Sequence, residues 1–445
     1  MMKWPAYHIA LSLFMISTAF GQDTSSVSPL STHSDSSTFF VDKVIVIGNS
    51  HTKEFVILRE MSLKPGSPIT EEMLEYDKNR IYSLGLFNRV ELRAIPSAPP
   101  TAELIVEVNE RWYIFPYPIF GIKDRDWSKL LYGVGLLHNN FRGRNEKLYG
   151  SLVIGYDPSI ALAYRNPFLS EEGLYFLEGR IGYNKVRNKS LLAQLGSDNF
   201  DERHFSAFLT VGRRFGIEHT VWLTTGYEIV EVSHYIPGRS LSHDGRDKYP
   251  LGSVGYVYDT RDLQEYPGHG SFARATITKF GVSSGDVDIT RYSLDLRKYI
   301  PLISHVVLTG RMFTDVVAGG TTPSYNRVFF GYSERVRGHF KEVMEGENIF
   351  GVSSEIHLTL LAPKYFVVDF LPGEFGVWKF SIAAALFADA GTVWFRGSPF
   401  ALNAFARGYG GGFHFQLPYS TVIRTEYAWN EIRRGQFIFG LGASF

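Results

Sequence analysis

Cysteine is absent from the 445 residues of this chain. Its absence excludes disulfides, thiolate metal sites, a cysteine nucleophile and a lipid anchor on an N-terminal cysteine. Net charge is absent as well, because 45 lysines and arginines balance 45 aspartates and glutamates. No overall field therefore attracts nucleic acid. Long apolar runs are also missing, since no segment approaches the roughly eighteen apolar residues of a membrane helix.

Catalytic signatures are missing too. The sequence contains no G-x-S-x-G elbow, H-E-x-x-H pair, Walker loop or dinucleotide fingerprint. The glycine-rich run at 408–412 lies in a strand pattern with no helix after it, and the thirteen histidines show no metal-ligand spacing. We therefore expect a protein that is not an enzyme and that holds neither a cofactor nor a metal.

The first 38 residues have the composition of an exported chain. Lys3, an apolar run over residues 9–16 and small residues at Ala19 and Gly21 predict a signal peptide over residues 1–21. A buried helix of the mature protein is the alternative for this run. Residues 22–38 are rich in serine and threonine and cannot repay their ordering entropy, so we expect a flexible linker.

Residues 39–111 have the pattern of a small α+β domain. A short apolar strand ends at Gly48, and helical spacing follows in residues 52–61. Thr70 is placed to cap a second helix that Gly85 closes, and two strands that could pair as a hairpin come next. The predicted order is β-α-α-β-β.

Residues 112–445 show strand periodicity throughout. Aromatics make up 15% of the chain and glycines number 43, a mixture that suits many strands with tight turns. Alternation sorts charge to one face, as where Glu178 and Arg180 lie opposite Leu177 and Ile181. Sixteen such blocks predict a 16-stranded transmembrane antiparallel β-barrel, apolar outside and polar inside. A soluble β-sandwich or propeller would instead direct charge outward and repeat blade motifs.

Three segments of the first domain carry a resemblance to a known family. The runs "VIGN", "ITEEMLEYDKNRIYSLGLFNRVEL" and "LIVEVNER" resemble a POTRA domain, the periplasmic module of outer-membrane assembly and translocation proteins. The resemblance covers residues 39–111 and one module. The last block of the chain, "GQFIFGLGASF", ends on Phe445 and is similar to the signal by which outer-membrane barrels are recognised for assembly.

A polar segment near the C-terminal third extends the resemblance. "VRGH" at 336–339 resembles the VRGF or VRGY motif of the BamA and TamA superfamily, of the bacterial surface antigen type, and His339 replaces the usual aromatic. In that family the motif lies on a sixth extracellular loop that folds back into the barrel. "GVSSEIHL" at 351–358 and "FADAG" at 387–391 are similar to the motifs of strands twelve and thirteen.

Period-two counting directs two carboxylates into the lumen, where an inserted arginine could meet them. We therefore expect a loop-six lock in which Arg337 pairs with Glu355 and Asp389, and Gly338 lets the backbone approach the wall. A solvated surface turn is the alternative interpretation of this segment.

The resemblance also implies two surfaces for handling other proteins. We expect the strand near residues 89–95 to be a sheet edge that receives extended clients by β-augmentation, with Arg89, Glu91 and Arg93 on it. We expect a weak lateral seam where the first barrel strand meets the last. The residues that weaken it are Pro116 and Pro118 in the first strand and Gly435, Gly440 and Gly442 in the last.

The function implied is insertion, folding or translocation of proteins at the bacterial outer membrane, with the POTRA domain in the periplasm. The partners implied are unfolded outer-membrane or secreted client proteins, outer-membrane lipid, and periplasmic or lipoprotein accessory subunits. A two-partner-secretion pore is one alternative, and a passive outer-membrane channel is another. The second would have no use for a POTRA domain.

Overall fold

The structure is a computed structural model. It describes residues 39–122, 127–169, 174–188, 190–194, 200–282, 285–332, 334–339, 342–371 and 373–442. The expected signal peptide, the expected linker and Phe445 lie outside the described residues.

The N-terminal domain has the predicted β-α-α-β-β order. Its sheet has the order β1-β3-β2, so β3 is central, parallel to β1 and antiparallel to β2. The five elements are β1 (Phe40–Ile47), α1 (Glu54–Leu58), α2 (Glu71–Tyr82), β2 (Phe87–Pro96) and β3 (Thr101–Glu110).

Local chemistry explains where α2 begins and how it is held. The Thr70 hydroxyl accepts a hydrogen bond from the backbone N–H of Met73 and so caps the helix. Asp77 is fully buried and accepts from the backbone N–H groups of Ser62 and Leu63 at 2.7 and 2.9 Å. A buried carboxylate satisfied in this way ties the helix to the preceding loop.

The rest of the chain forms one sheet of sixteen strands, each antiparallel to its sequence neighbour, as predicted. Among the described residues, no helix has the length and apolar character needed to span a bilayer. The short hairpin of β15 (Val328–Phe330) and β16 (Met344–Gly346) lies in the connection between β14 and β17, and α3 (Leu191–Gln194) and α4 (Gly373–Gly376) are single turns. The sixteen strands are β4 (Ile114–Ile122), β5 (Leu130–Phe141), β6 (Glu146–Gly155), β7 (Ser159–Asn166), β8 (Tyr175–Arg187), β9 (Asp201–Phe215), β10 (His219–Val232), β11 (Arg246–Asp259), β12 (Gly270–Gly281), β13 (Asp288–Ile303), β14 (Val306–Gly319), β17 (Asn348–Val367), β18 (Val377–Trp394), β19 (Ala406–Leu417), β20 (Thr421–Asn430) and β21 (Gly435–Leu441).

The two faces of this sheet have opposite chemistry. Leu223 on β10 and Leu386 on β18 are exposed on the outer face, where lipid would cover them. Glu355 and His414 are buried on the inner face. Apolar side chains outside and charged groups inside suit a barrel in a bilayer.

The N-terminal domain packs against the periplasmic turns of the barrel. Phe168 and Leu263, each in a turn between barrel strands, belong to the hydrophobic core of the N-terminal domain. Arg80 on α2 donates to the backbone carbonyl of Ile217 at 3.0 Å. The two domains therefore share one core at the periplasmic mouth of the barrel.

Candidate functional site

The candidate site is built where loop six, residues 320–347, turns back along the inner wall of the barrel. Two glycines make the close approach possible. Gly338 has φ of 99°, and a Cβ on it would lie 2.7 Å from the carbonyl oxygen of Trp429. A Cβ on Gly408 of β19 would lie 1.6 Å from the carbonyl oxygen of Arg337. Any larger residue at either position would force the loop away from the wall.

The Arg337 side chain is buried and contacts three carboxylates. Its Nε and Nη2 donate to the two oxygens of Asp389 on β18 at 2.7 and 2.8 Å. Nη1 donates to Glu355 on β17 at 2.6 Å and to Glu426 on β20 at 3.0 Å. The backbone N–H of Arg337 also donates to Asp389, at 3.2 Å. One guanidinium thus joins loop six to three strands of the wall.

Three neighbouring carboxylates and a stacked aromatic ring favour the cationic form of Arg337. Burial disfavours the charge, but the hydrogen bonds to Asp389 and the charges of Glu355 and Glu426 raise the pKa of Arg337 above its usual value. The guanidinium also lies over the Phe387 ring, 3.5 Å from the ring centroid. Such cation–π stacking suits the planar group of arginine.

Sequence reasoning missed Glu426, which contributes the third carboxylate. Period-two counting along β20 would have directed it into the lumen together with Arg424, but no motif singled it out.

Sequence reasoning also missed a second anchor of loop six. Glu334 accepts from Arg311 on β14 at 2.9 Å, and Arg311 in turn donates to Asp295 on β13 at 3.0 Å.

His339 replaces the usual aromatic residue with a polar anchor. Its Nδ1 contacts Glu342 at 2.7 Å, and its Nε2 contacts Glu431 at 2.7 Å and the carbonyl oxygen of Arg407 at 3.1 Å. Ionised carboxylates only accept hydrogen bonds, so both contacts are hydrogen bonds when each ring nitrogen carries a proton. Burial opposes this charge, yet the hydrogen bonds to Glu342 and Glu431 raise the pKa of His339.

A buried histidine pair lies beside the arginine. The ligand atoms of Glu355, His357 and His414 all lie within 4.8 Å of one another, so these residues could hold a metal ion. Their positions on β17 and β19 explain why sequence spacing did not reveal the cluster. In this structure these side chains are engaged in hydrogen bonds: His357 donates to Glu355, and His414 contacts Glu426 at 3.3 Å.

The periplasmic turn at residues 260–269 links this cluster to the N-terminal domain. The backbone N–H of Gln264 donates to the hydroxyl of Ser83 at 3.1 Å. Glu265 accepts from Lys379 on β18 at 2.8 Å. The hydroxyl of Tyr266 lies 3.0 Å from His414 Nδ1, and its ring stacks on His357 with centroids 4.8 Å apart. We call residues 260–269 the bridging turn.

The residues expected at the client-binding edge lie on β2, which is an edge strand of the three-stranded sheet, as is β1. Arg89 and Arg93 are more than half exposed, with side-chain exposures of 52% and 63%. Arg89 pairs with Glu91 on the same strand, and Arg93 pairs with Glu107 on β3. Charged side chains therefore border this edge strand.

The residues expected at the seam lie on the two end strands of the barrel sheet. Pro116 and Pro118 are in β4, while Gly435 and Gly440 are in β21 and Gly442 follows it. Within the described residues, β4 pairs only with β5 and β21 only with β20. In the part of the chain that the structure describes, no ladder therefore joins β4 to β21, the two end strands of the sheet.

Comparison with known proteins identifies the family. The Omp85 superfamily domain matches residues 140–445, and the POTRA family, described as a surface antigen variable number repeat, matches residues 39–111. The chain belongs to the Omp85 superfamily. An Omp85 barrel with a POTRA domain lies in the outer membrane, with that domain in the periplasm.

A curated protein similar to this chain is an assembly factor. The Omp85 chain is 22% identical over 329 residues to the outer membrane protein assembly factor BamA of Nitratidesulfovibrio vulgaris, covering 67% of this chain and 38% of that protein. It thus spans well under half the length of that relative.

Two solved structures share the fold of this Omp85 chain. Haemophilus ducreyi BamA lacking POTRA domains 1–3 is 18% identical with a TM-score of 0.52, covering 91% of this chain and 84% of that one. CdiB from Escherichia coli is 10% identical with a TM-score of 0.57, covering 91% and 76%.

Proposed function

We propose that this protein inserts or translocates client proteins at the outer membrane by opening its barrel between β4 and β21. The observation that carries the proposal is that, among the described residues, no ladder joins these two strands, whereas every other pair of neighbouring strands in the sheet has one. Unpaired backbone groups are costly in a bilayer. A client strand could satisfy them by pairing with the exposed edge.

The composition of the two end strands favours such opening. Pro116 and Pro118 lack N–H groups, and the described part of β21 has seven residues. Phe437 and Phe439 are exposed on the outer face at 67% and 57%. Lipid can cover these rings while the backbone edge beside them stays available to a client.

The β2 edge of the POTRA domain supports delivery of clients. An extended chain could add to this edge by main-chain hydrogen bonds, with Arg89, Glu91 and Arg93 beside it. Clients in this proposal are unfolded outer-membrane or secreted proteins, and the name of the outer membrane protein assembly factor BamA supports the first of these two classes. Periplasmic or lipoprotein subunits and membrane lipid are further proposed partners.

The loop-six lock completes the proposal. Arg337 holds loop six against β17, β18 and β20, and β20 pairs directly with the seam strand β21. Opening can then be confined to β4 and β21. The activity forms no covalent bond, so we propose that the protein is not an enzyme and needs no cofactor.

A disulfide between β4 and β21 tests the seam. Because the chain has no native cysteine, no other disulfide can form within it. One cysteine replaces Pro118 in β4 and another replaces Phe437 or Phe439 in β21. The matched control joins Pro118→Cys to Val134→Cys, which face each other in the existing β4–β5 ladder. Assembly of a barrel client is measured in proteoliposomes before and after reduction.

We expect the seam crosslink to stop client assembly and reductant to restore it, while the control crosslink has no effect. Full activity with the seam locked would reject lateral opening.

Translocation of one secreted partner is the second candidate, favoured by the likeness to CdiB. Depletion of the protein followed by profiling of the outer-membrane proteome separates the two. Loss of many barrels indicates assembly, and loss of one secreted protein indicates dedicated translocation.

A further inference from the structure

A cavity of about 240 Å³ lies between the POTRA domain and the periplasmic mouth of the barrel. It is separate from the loop-six lock. Both domains contribute to its lining, and most of the charged groups are cationic. The lining that matters here is Glu60 and Arg80 from the POTRA domain and Lys147, Arg165 and Arg214 from the barrel.

Four cations and three acidic residues, Glu60, Glu218 and Asp259, line the cavity, so the lining has an excess of one positive charge. Glu60 accepts from both Arg80, at 2.8 Å, and Arg214, at 3.1 Å, so one carboxylate serves two guanidinium groups. Asp259 also lines the cavity, but it is held by Arg261 through two hydrogen bonds of 2.9 and 2.8 Å.

Lys147 and Arg165 form the unusual feature of the cavity. They lie directly opposite each other on the neighbouring strands β6 and β7. Glu178 faces Arg165 from β8 without forming an ion pair, and Arg165 Nε is buried with no hydrogen-bond partner. Within the described part of the chain, neither cation has a hydrogen bond or an ion pair.

Two like charges opposite each other in a sheet lower stability. Glu178, opposite Arg165, offsets part of this repulsion without forming an ion pair. A sequence that keeps two opposed cations is expected to gain something else from them, and functional sites are where such conflicts concentrate. Together with the cation excess of the cavity, the pair calls for an anion.

We propose that this cavity binds an oxyanionic group, a carboxylate or a phosphate, that arrives from the periplasm. Lys147 and Arg165 provide donors that are not committed elsewhere, and arginine matches the planar or tetrahedral arrangement of such oxygens. The volume admits a phosphate or the terminal carboxylate of a chain with a small group attached. Phe168 and Phe176 line the remaining wall and suit an apolar attachment. The site faces the lumen, so lipid outside the barrel does not reach it.

Binding is tested on the full-length protein in nanodiscs of zwitterionic lipid, by calorimetry with three probes. These are inorganic phosphate, a short peptide with a free C-terminal carboxylate and the same peptide amidated. The variants are Lys147→Met and Arg165→Gln. The control is Lys185→Met, which removes a cation that pairs with Asp201 at the other end of the barrel.

We expect the wild-type protein to bind phosphate, the free-carboxylate peptide or both, and to bind the amidated peptide at least tenfold more weakly than the free acid. Each cavity variant should weaken oxyanion binding about tenfold or more, while Lys185→Met leaves it unchanged. If only phosphate binds, the cavity is a site for small anions. If only the free-carboxylate peptide binds, it is a site for the C-terminal end of a chain.

Thermal unfolding gives an independent readout if calorimetric heats are small. Without ligand, Lys147→Met should unfold at a higher temperature than the wild type, because the repulsion from Arg165 is gone. Phosphate or the peptide should raise the midpoint of the wild type only. The proposal is overturned if neither oxyanion binds the wild type, or if both cavity variants bind as the wild type does.

Discussion

Arg337 on loop six and Asp389 on β18 are joined by two parallel side-chain hydrogen bonds, of 2.7 and 2.8 Å. This fork geometry matches a guanidinium to a carboxylate and cannot be reproduced by an ammonium. The loop therefore depends on the shape of the arginine as well as on its charge.

Replacement of Arg337 tests the lock. Arg337→Ala leaves three buried carboxylates without their shared cation, a loss on the order of 3–5 kcal/mol when such a pair is fully buried. We expect a protease-sensitive loop six and reduced client assembly, with normal membrane insertion. Arg337→Lys should show the same defects in weaker form.

Asp389→Ala provides the second arm of this test. Combining it with Arg337→Ala should do no more harm than the worse single change, because both remove the same interaction. A protected loop and normal activity in both single variants would show that the contact has no role in assembly.

The fit of loop six to the wall is tested at Gly408. Gly408→Ala places a Cβ 1.6 Å from the Arg337 carbonyl oxygen if nothing moves, so the loop must shift. We expect faster proteolysis of loop six without loss of the barrel. Gly310→Ala is the matched control, since a Cβ at this strand position on β14 meets nothing within 4 Å. Equal proteolysis rates in the two variants would contradict the proposed close contact.

His339 predicts a pH dependence of loop six. Its pKa is raised in the folded protein, burial being outweighed by the hydrogen bonds to Glu342 and Glu431. The stabilisation is therefore fully present below the unfolded value of about 6.5 and is lost as the pH rises through the raised value.

Hydrogen exchange of loop six between about pH 6 and pH 9 measures this effect, after correction for the intrinsic pH dependence of exchange. Protection should fall with rising pH in the wild type. It should be independent of pH in His339→Phe, which restores the aromatic residue usual in the family. Protection that does not fall with rising pH in the wild type would show that this imidazole does not hold the loop.

The bridging turn predicts a connection between the POTRA domain and the lock. Tyr266→Phe removes the hydroxyl that contacts His414 but keeps the ring that stacks on His357. We expect severalfold faster exchange in loop six, although Tyr266 does not touch it. Lys43→Ala, at an exposed ion pair with Glu103, is the control. Equal exchange rates of loop six in these two variants would mean that the Tyr266 hydroxyl does not connect the bridging turn to the lock.

The POTRA edge is tested with one proline on each edge strand. Arg93→Pro on β2 should weaken binding of an extended client peptide, because proline bends the edge and lacks an N–H group. Lys43→Pro on the β1 edge serves as the matched control. Circular dichroism of both variants checks that the domain stays folded. Equal binding by both would exclude augmentation at β2.

The sequence by itself determined the architecture. Alternation in sixteen blocks predicted the sixteen strands and their polar inner face, because a strand in a bilayer has only two faces and each demands a different chemistry. The order of elements in residues 39–111 followed from helical spacing and breakers. The approach of Arg337 to Glu355 and Asp389 was anticipated by motif resemblance together with period-two counting.

Only the tertiary structure decided which lumen-facing groups meet. Glu426 is 89 residues from Arg337 in the chain, and any inward acid on any strand would have satisfied the sequence pattern equally. The turn at 260–269 has an ordinary composition, yet its position beneath the lumen brings Tyr266 to His414. Lys147 and Arg165 became neighbours through the register between β6 and β7, which neither segment specifies alone.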